Sequence, residues 1–181
     1  MEDSLRGHLL ISSGGLYDPN FRHTVVLIGE HSPEGALGVI LNRVLDITVE
    51  DALPPLSHLV PPGEPLFQGG PVQSQSPVLL AELSDPRVAD LLVFESVGFL
   101  IGDVPSAVRP SILRARIFAG YSGWGPGQLE EELSVDSWIL DPARVEDVFT
   151  DKPDLLWSRV LERKGPEYKL LSRMPYDPSM N

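Results

Sequence analysis

The sequence predicts a mixed α+β fold, and three observations carry that prediction. Short apolar, β-branched runs bounded by turn residues crowd the N-terminal and central parts of the chain. Patterns with helical start and stop signals gather after Pro126. The 18 Pro and 16 Gly among 181 residues demand many turns and short elements, which a helical bundle would not need. Strands early and helices late argue for α+β, or a mixed α/β layer, over a regular βαβ alternation. The length predicts one domain spanning residues 1–181. A chain of that size can bury roughly 70% of its unfolded surface, enough for a core without staples.

Taken in order, Gly7 to Ser12 is a first strand, and Asp18-Pro19-Asn20-Phe21 is a turn or a single helical turn, in which Asp can cap and Pro presets the dihedral. Thr24 to Ile28 is almost wholly apolar, so it predicts a strand covered on both faces. Glu30 to Glu34, with Pro33 and Gly35, is the turn of a hairpin whose second arm is Ala36 to Asn42. Thr48-Val49-Glu50-Asp51 has the form of a capping box opening a short helix that Pro54-Pro55 must end. Pro54 to Pro65 is a proline-punctuated loop. Strands follow at Leu66 to Gln68, Val78 to Ala81, Leu91 to Phe94 and Phe99 to Ile101, with Gly69-Gly70-Pro71 as a bend. Ile112 to Tyr121 is a long strand feeding a glycine-rich bend, and Pro126 is placed as a first helical residue with Leu129 and Leu133 on one face. Trp138 to Leu140 is a short strand. Asp141-Pro142 reads as the cap and first residue of the next helix, and Pro153 to Lys164 is the last helix, with Leu156, Val160 and Leu161 inward and Gly165 beyond its end.

Composition narrows the function. With no cysteine, disulfides and thiolate metal sites are excluded. Four histidines (His8, His23, His31, His58) lack the i, i+4 helical spacing of zinc sites, so neither metal nor cofactor is expected. No basic, apolar leader precedes Gly7 and no apolar run could span a bilayer, so the expected compartment is the cytoplasm, with no membrane partner. The net charge of −12, from 14 Lys and Arg against 26 Asp and Glu, repels phosphate backbones, which disfavours direct nucleic-acid binding.

The motifs give several starting points. Gly120-Tyr121-Ser122-Gly123-Trp124 imitates the G-x-S-x-G nucleophile elbow but places Trp where the last glycine must let helix approach strand. A phosphate cradle at Gly123 to Gly127 is opposed by Glu130, Glu131 and Glu132 in the following helix. Glu30-His31 at the hairpin tip is the most plausible acid–base pair, provided the turn rotates two neighbouring side chains to one side. Trp157 belongs to a helix's apolar stripe and is expected in the core. Trp124, flanked by glycines, is expected to be partly exposed and able to anchor a partner.

With those residues in view, the chain resembles the AlgH/YqgE family of bacterial proteins over nearly its whole length. Four blocks carry the resemblance: Asp18-Pro19-Asn20-Phe21-Arg22 with Val25-Val26; Glu30-His31 with Gly35-Ala36-Leu37-Gly38 and Asn42; Gly69-Gly70-Pro71-Val72; and Gly120 to Trp124 with Gly127-Gln128-Leu129-Glu130 and Trp138. The resemblance implies a branched, partly barrel-like β-sheet surrounded by helices, and a bacterial cytosolic protein. It carries the label of transcriptional regulator but no assigned reaction and no catalytic residues.

The candidate ligand or partner site therefore comprises Asp18, Phe21, Arg22, Glu30, His31, Asn42, Gly69, Gly70, Pro71, Gly120, Tyr121, Gly123, Trp124, Gln128 and Glu130. Two readings of it stand. In the first, the protein is a non-catalytic regulator or adaptor that meets another protein through these segments. In the second, it binds or transforms a small molecule, with Glu30 and His31 as acid and base and the Gly69-Gly70-Pro71 turn shaping a pocket. Convergence of the blocks on a deep cleft favours the second, and a flat patch exposing Trp124 the first. Fold geometry alone can also demand such glycines and prolines.

Overall fold

The structure is a computed structural model that describes residues 4–13 and 22–174; the expected Asp18 to Phe21 turn, and with it candidates Asp18 and Phe21, lies outside them. Ten strands form one branched sheet. They are β1 (His8–Ser12), β2 (Val25–Ser32), β3 (Gly35–Ile40), β4 (Val44–Thr48), β5 (Pro65–Gln68), β6 (Val72–Leu83), β7 (Leu91–Phe94), β8 (Val97–Leu100), β9 (Ile112–Trp124) and β10 (Trp138–Pro142). Helices α1 (Val49–Ala52), α2 (Gln128–Ser134), α3 (Val145–Val148) and α4 (Leu156–Lys164) surround it.

The main path runs β10-β1-β2-β3-β9-β6-β8-β7, and the branch is at β9, which also pairs in parallel with β5 through Phe118 and Ala119. The sheet does not close, but its far end returns toward β2. A Cβ on Gly29 of β2 would sit 2.6 Å from the ring of Phe99 on β8, so any larger residue would have to push that ring aside. This curl gives the sheet its partly barrel-like form.

β1 and β2 are buried on both faces, as the unbroken apolar run from Thr24 to Ile28 predicts for β2. Leu9, Ile11, Val25 and Leu27 pack against Trp157, Val160 and Leu161 of α4. Leu10, Val26, Ile28 and Ile40 on the other face pack with Trp124, Leu129 and Trp138 beneath α2. Full burial of each such aliphatic side chain is worth roughly 1.5–3 kcal/mol, so both helices are held chiefly by these faces. Trp157 is core, as expected, and its indole N–H donates to the Ser12 carbonyl at 2.9 Å.

Several boundaries move. β9 continues through the expected bend to Trp124, because Ser122, Gly123 and Trp124 pair with Gly38, Leu37 and Ala36 of β3. The chain turns only at Gly125 to Gly127, and α2 begins at Gln128, not Pro126, with Gly127 capping at φ +76°. Asp141-Pro142 does not open a helix. It ends β10, where Pro142 lies opposite His8 on an edge strand that does not need its missing N–H. Thr48 does cap α1, accepting from the Asp51 N–H. Pro54 to Leu59 is a 3₁₀ turn where a loop was expected, and β4 is an additional strand.

Candidate functional site

The hairpin tip resolves first. β2 runs to Ser32, with a bulge between Ile28 and Glu30, so Glu30 and His31 are strand neighbours and face opposite ways. His31 Nδ1 accepts the Leu5 N–H at 3.0 Å, which assigns the ring proton to Nε2. That proton goes to Glu130 Oε1 of α2 at 2.7 Å. Glu30 is therefore not the carboxylate that orients His31. The Glu130 carboxyl is held below its ordinary range, first by the His31 hydrogen bond and then by a backbone hydrogen bond.

The same helix is fastened at a second point. Trp124 and Trp138 donate their indole N–H groups to one oxygen of Glu132, at 3.0 and 2.7 Å. The two rings meet edge to face with centroids 6.2 Å apart. Gln128 bridges from the other Glu132 oxygen, at 3.1 Å, to the Gly125 N–H, at 3.0 Å. Trp124 is only 6% exposed, so it is not the surface anchor that its glycine neighbours suggest. The paired strand β3 and the helix cover it.

Gly69, Gly70 and Gly120 mark a backbone crossing. Gly69 donates to the Ala119 carbonyl and accepts from Ile40, both at 2.9 Å. A Cβ on Gly69 would collide with the Gly120 carbonyl oxygen. One on Gly120, which has φ +74°, would lie 2.6 Å from the Gly70 oxygen. Pro71 leads out of this crossing into β6. Ser122 is fully buried and its hydroxyl donates to the Gly69 carbonyl at 3.1 Å, so it fastens the crossing. Asn42 accepts from the Val25 N–H at 3.0 Å and donates to the His23 carbonyl at 2.7 Å, pinning the entry to β2. Arg22 takes part through its carbonyl, which accepts from Arg43 at 3.4 Å, and Gly123 pairs with Leu37.

One cavity stands apart from these fastenings. A cleft of about 670 Å³ opens between the β2–β3 hairpin and the β6–β8 pair, closed at one end by the segment after α1. Leu37 and Val39 form one wall, Val78 and Phe99 the opposite wall, and Leu53 and Leu56 the end. Glu30 and Tyr121 bring two of the expected site residues to it; Gln73, Ser76 and Asp103 add the remaining polar groups. The volume falls within the range of small-molecule pockets. Between the Val72–Tyr121 and Pro77–Ala119 pairs, Gln73 to Ser76 face only Gly120 on β9, so this polar stretch bulges from the ladder at the cleft. Gln73 sits there at φ +48°.

Phe99, Leu56, Gln73 and Asp103 are cleft residues that sequence reasoning did not single out. The polar Gln73-Ser74-Gln75-Ser76 run ahead of an apolar strand was the one available signal. Among the described residues, no group of three or more His, Asp or Glu side chains could hold a metal ion, and no helix is long and apolar enough to cross a membrane.

The sequence profile of a family described as AlgH-like matches residues 9–169. A UPF0301 protein of Streptomyces avermitilis is 41% identical, covering 98% of this chain and 96% of the relative. A UPF0301 protein of Thermobifida fusca is 37% identical over 98% of this chain and 96% of its own length. Among solved structures, a protein of Corynebacterium diphtheriae superposes with a TM-score of 0.84 at 28% identity, covering 95% of this chain and 93% of that one. The solution structure of the AlgH protein from Pseudomonas aeruginosa gives 0.73 at 29% identity, with 97% and 98% covered. With the profile matched from β1 almost to the C-terminus and the fold shared along with it, the chain belongs to the AlgH-like family.

Proposed function

We propose that this protein is a non-catalytic regulator that works by binding an apolar small molecule in the cleft between the β2–β3 hairpin and the β6–β8 pair. The observation that carries this reading is the separation of chemistry from cavity. The apolar cleft of about 670 Å³ is faced by Glu30 and Tyr121. His31 is turned toward α2, and Ser122 is committed to the Gly69 carbonyl. The motif that imitates a catalytic elbow is thus used to build the sheet, and the cavity is left for recognition. A protein partner would meet the rim of the same cleft, where Leu37 and Ile101 are 42% and 71% exposed. The acidic charge opposes direct action on DNA, so any effect on transcription would pass through such a partner.

The test is a thermal-shift screen of apolar ligands against the protein and its Leu37→Asp variant, which charges the cleft wall. A ligand at about 100 times its Kd adds about 2.7 kcal/mol, or roughly 5–11 °C in a chain of this size. Shifts of that order, lost in Leu37→Asp, support the reading. Shifts equal in both proteins, or a blank library, contradict it.

A further inference from the structure

Charge at the cleft selects among apolar ligands. Glu30 and Asp103 both line it, and among the described residues no Lys, Arg or His does. Neither carboxylate has a hydrogen-bond or ion-pair partner among the described residues. An anionic head group would meet uncompensated negative charge at this rim, and an ammonium would be attracted.

Two aromatic side chains, Phe99 and Tyr121, line the same cleft as those acids. The Phe99 ring approaches Gly29, the residue before Glu30 in β2. Glu30 is also the cross-strand partner of Leu37. Leu37 and Tyr121 side chains come within 3.8 and 3.9 Å of the position a Gly123 Cβ would take, so Tyr121 closes the same end of the cleft. Carboxylates for the charge, aromatic rings in the same lining and an aliphatic wall for the body are the three parts that recognition of an organic ammonium uses. The protein's net charge of −12 steers a cation toward it as well.

Resting on the reading of the cleft as a ligand site, we infer that its ligand is an organic cation: an amine or quaternary ammonium carried on an apolar body, with its nitrogen at Glu30 and Asp103.

The test compares three probes with one octyl chain, all below micelle formation: octyltrimethylammonium, octyl glucoside and octyl sulfate. Titration calorimetry is run on the full chain and on Glu30→Gln, Asp103→Asn and, as a control for general surface charge, Glu95→Gln. The expected result is ammonium binding at least about tenfold tighter than sulfate. Each cleft substitution should weaken the ammonium about fivefold, in keeping with a partly exposed ion pair, while Glu95→Gln and the glucoside affinities stay unchanged. Equal binding of all three probes overturns the charge selection and leaves the apolar cleft standing. Ammonium binding that Glu30→Gln and Asp103→Asn leave intact also overturns it, because the cation is then held elsewhere. If no probe binds, the reading of the cleft fails together with the inference.

Discussion

Replacing Glu132 by Ala tests how α2 is held. One carboxylate oxygen accepts both the Trp124 and Trp138 indole N–H groups, at 3.0 and 2.7 Å, and the indoles are 6% and 4% exposed. A hydrogen bond to a charged acceptor contributes about 1.5–3 kcal/mol, and the half-buried carboxylate keeps these bonds toward the lower end. Their combined loss should cost about 3 kcal/mol, which lowers Tm by roughly 6–12 °C for a chain of this length. Glu132→Gln retains an acceptor oxygen and loses only the charge, so about half that fall is expected. Calorimetry gives the Tm, and tryptophan emission reports the site directly: the Ala variant should shift to the red as water reaches the indoles. A variant melting within about 2 °C of the parent with unchanged emission would refute the shared-acceptor account, since even one such bond exceeds that loss.

Three other perturbations follow from the same geometry. Gly69→Ala should destabilise by at least about 2 kcal/mol in urea unfolding, because its Cβ meets the Gly120 carbonyl and backbone must move; a neutral effect would mean that the crossing is loose. Arg163→Met removes the guanidinium bridging Asp141 and Asp147 at 3.1 and 2.8 Å and leaves the Asp147 carboxylate, whose side chain is 6% exposed, with the Arg144 N–H but without its counter-charge. The expected cost is about 3 kcal/mol, and a companion Asp147→Asn change should recover part of it. Because the folded-state Glu130 carboxyl is held below its ordinary 4.5 by His31, its stabilising share is complete above that pH and fades as pH falls through the lower folded value. The Tm gap between the parent and Glu130→Gln should therefore be flat above about pH 5 and close in more acidic buffer. A gap that widened on acidification would reverse the assigned sign.

Local chemistry made much of the sheet legible. Val25 to Ile28 announced a strand buried on both faces and Thr48 announced its cap; the hairpin, the long strand and the last helix are all present, though β2 runs on to Ser32, β9 to Trp124, and α4 opens at Leu156 after a 3₁₀ turn from Pro153. β4 was missed because Val44 and Ile47 are both exposed on a strand that, among the described residues, pairs only with β5, which leaves no alternating pattern to read. Pairing partners were the greater loss. His31 is joined to a carboxylate 99 residues away, while its neighbour Glu30 points into the cleft. Trp124 between two glycines reads as a loop aromatic until β3 pairs with it and α2 covers it. Glu132 has the look of a helix acid serving the dipole, and only the docked helix makes it the acceptor for two indoles. The cleft was illegible for the same reason: its walls come from β2, β3, β6, β8 and the segment after α1, which no spacing rule connects.

Amide chemical-shift mapping of the ¹⁵N-labelled protein with the octyl probes addresses the cleft directly. The account predicts saturable shifts at Gly29, Gly38, Gln73, Ser76 and Gly102, all of which border the cavity, with Gly125, Gln128 and Glu132 in the α2 fastening unmoved. Shifts centred on α2, or none anywhere, would contradict it.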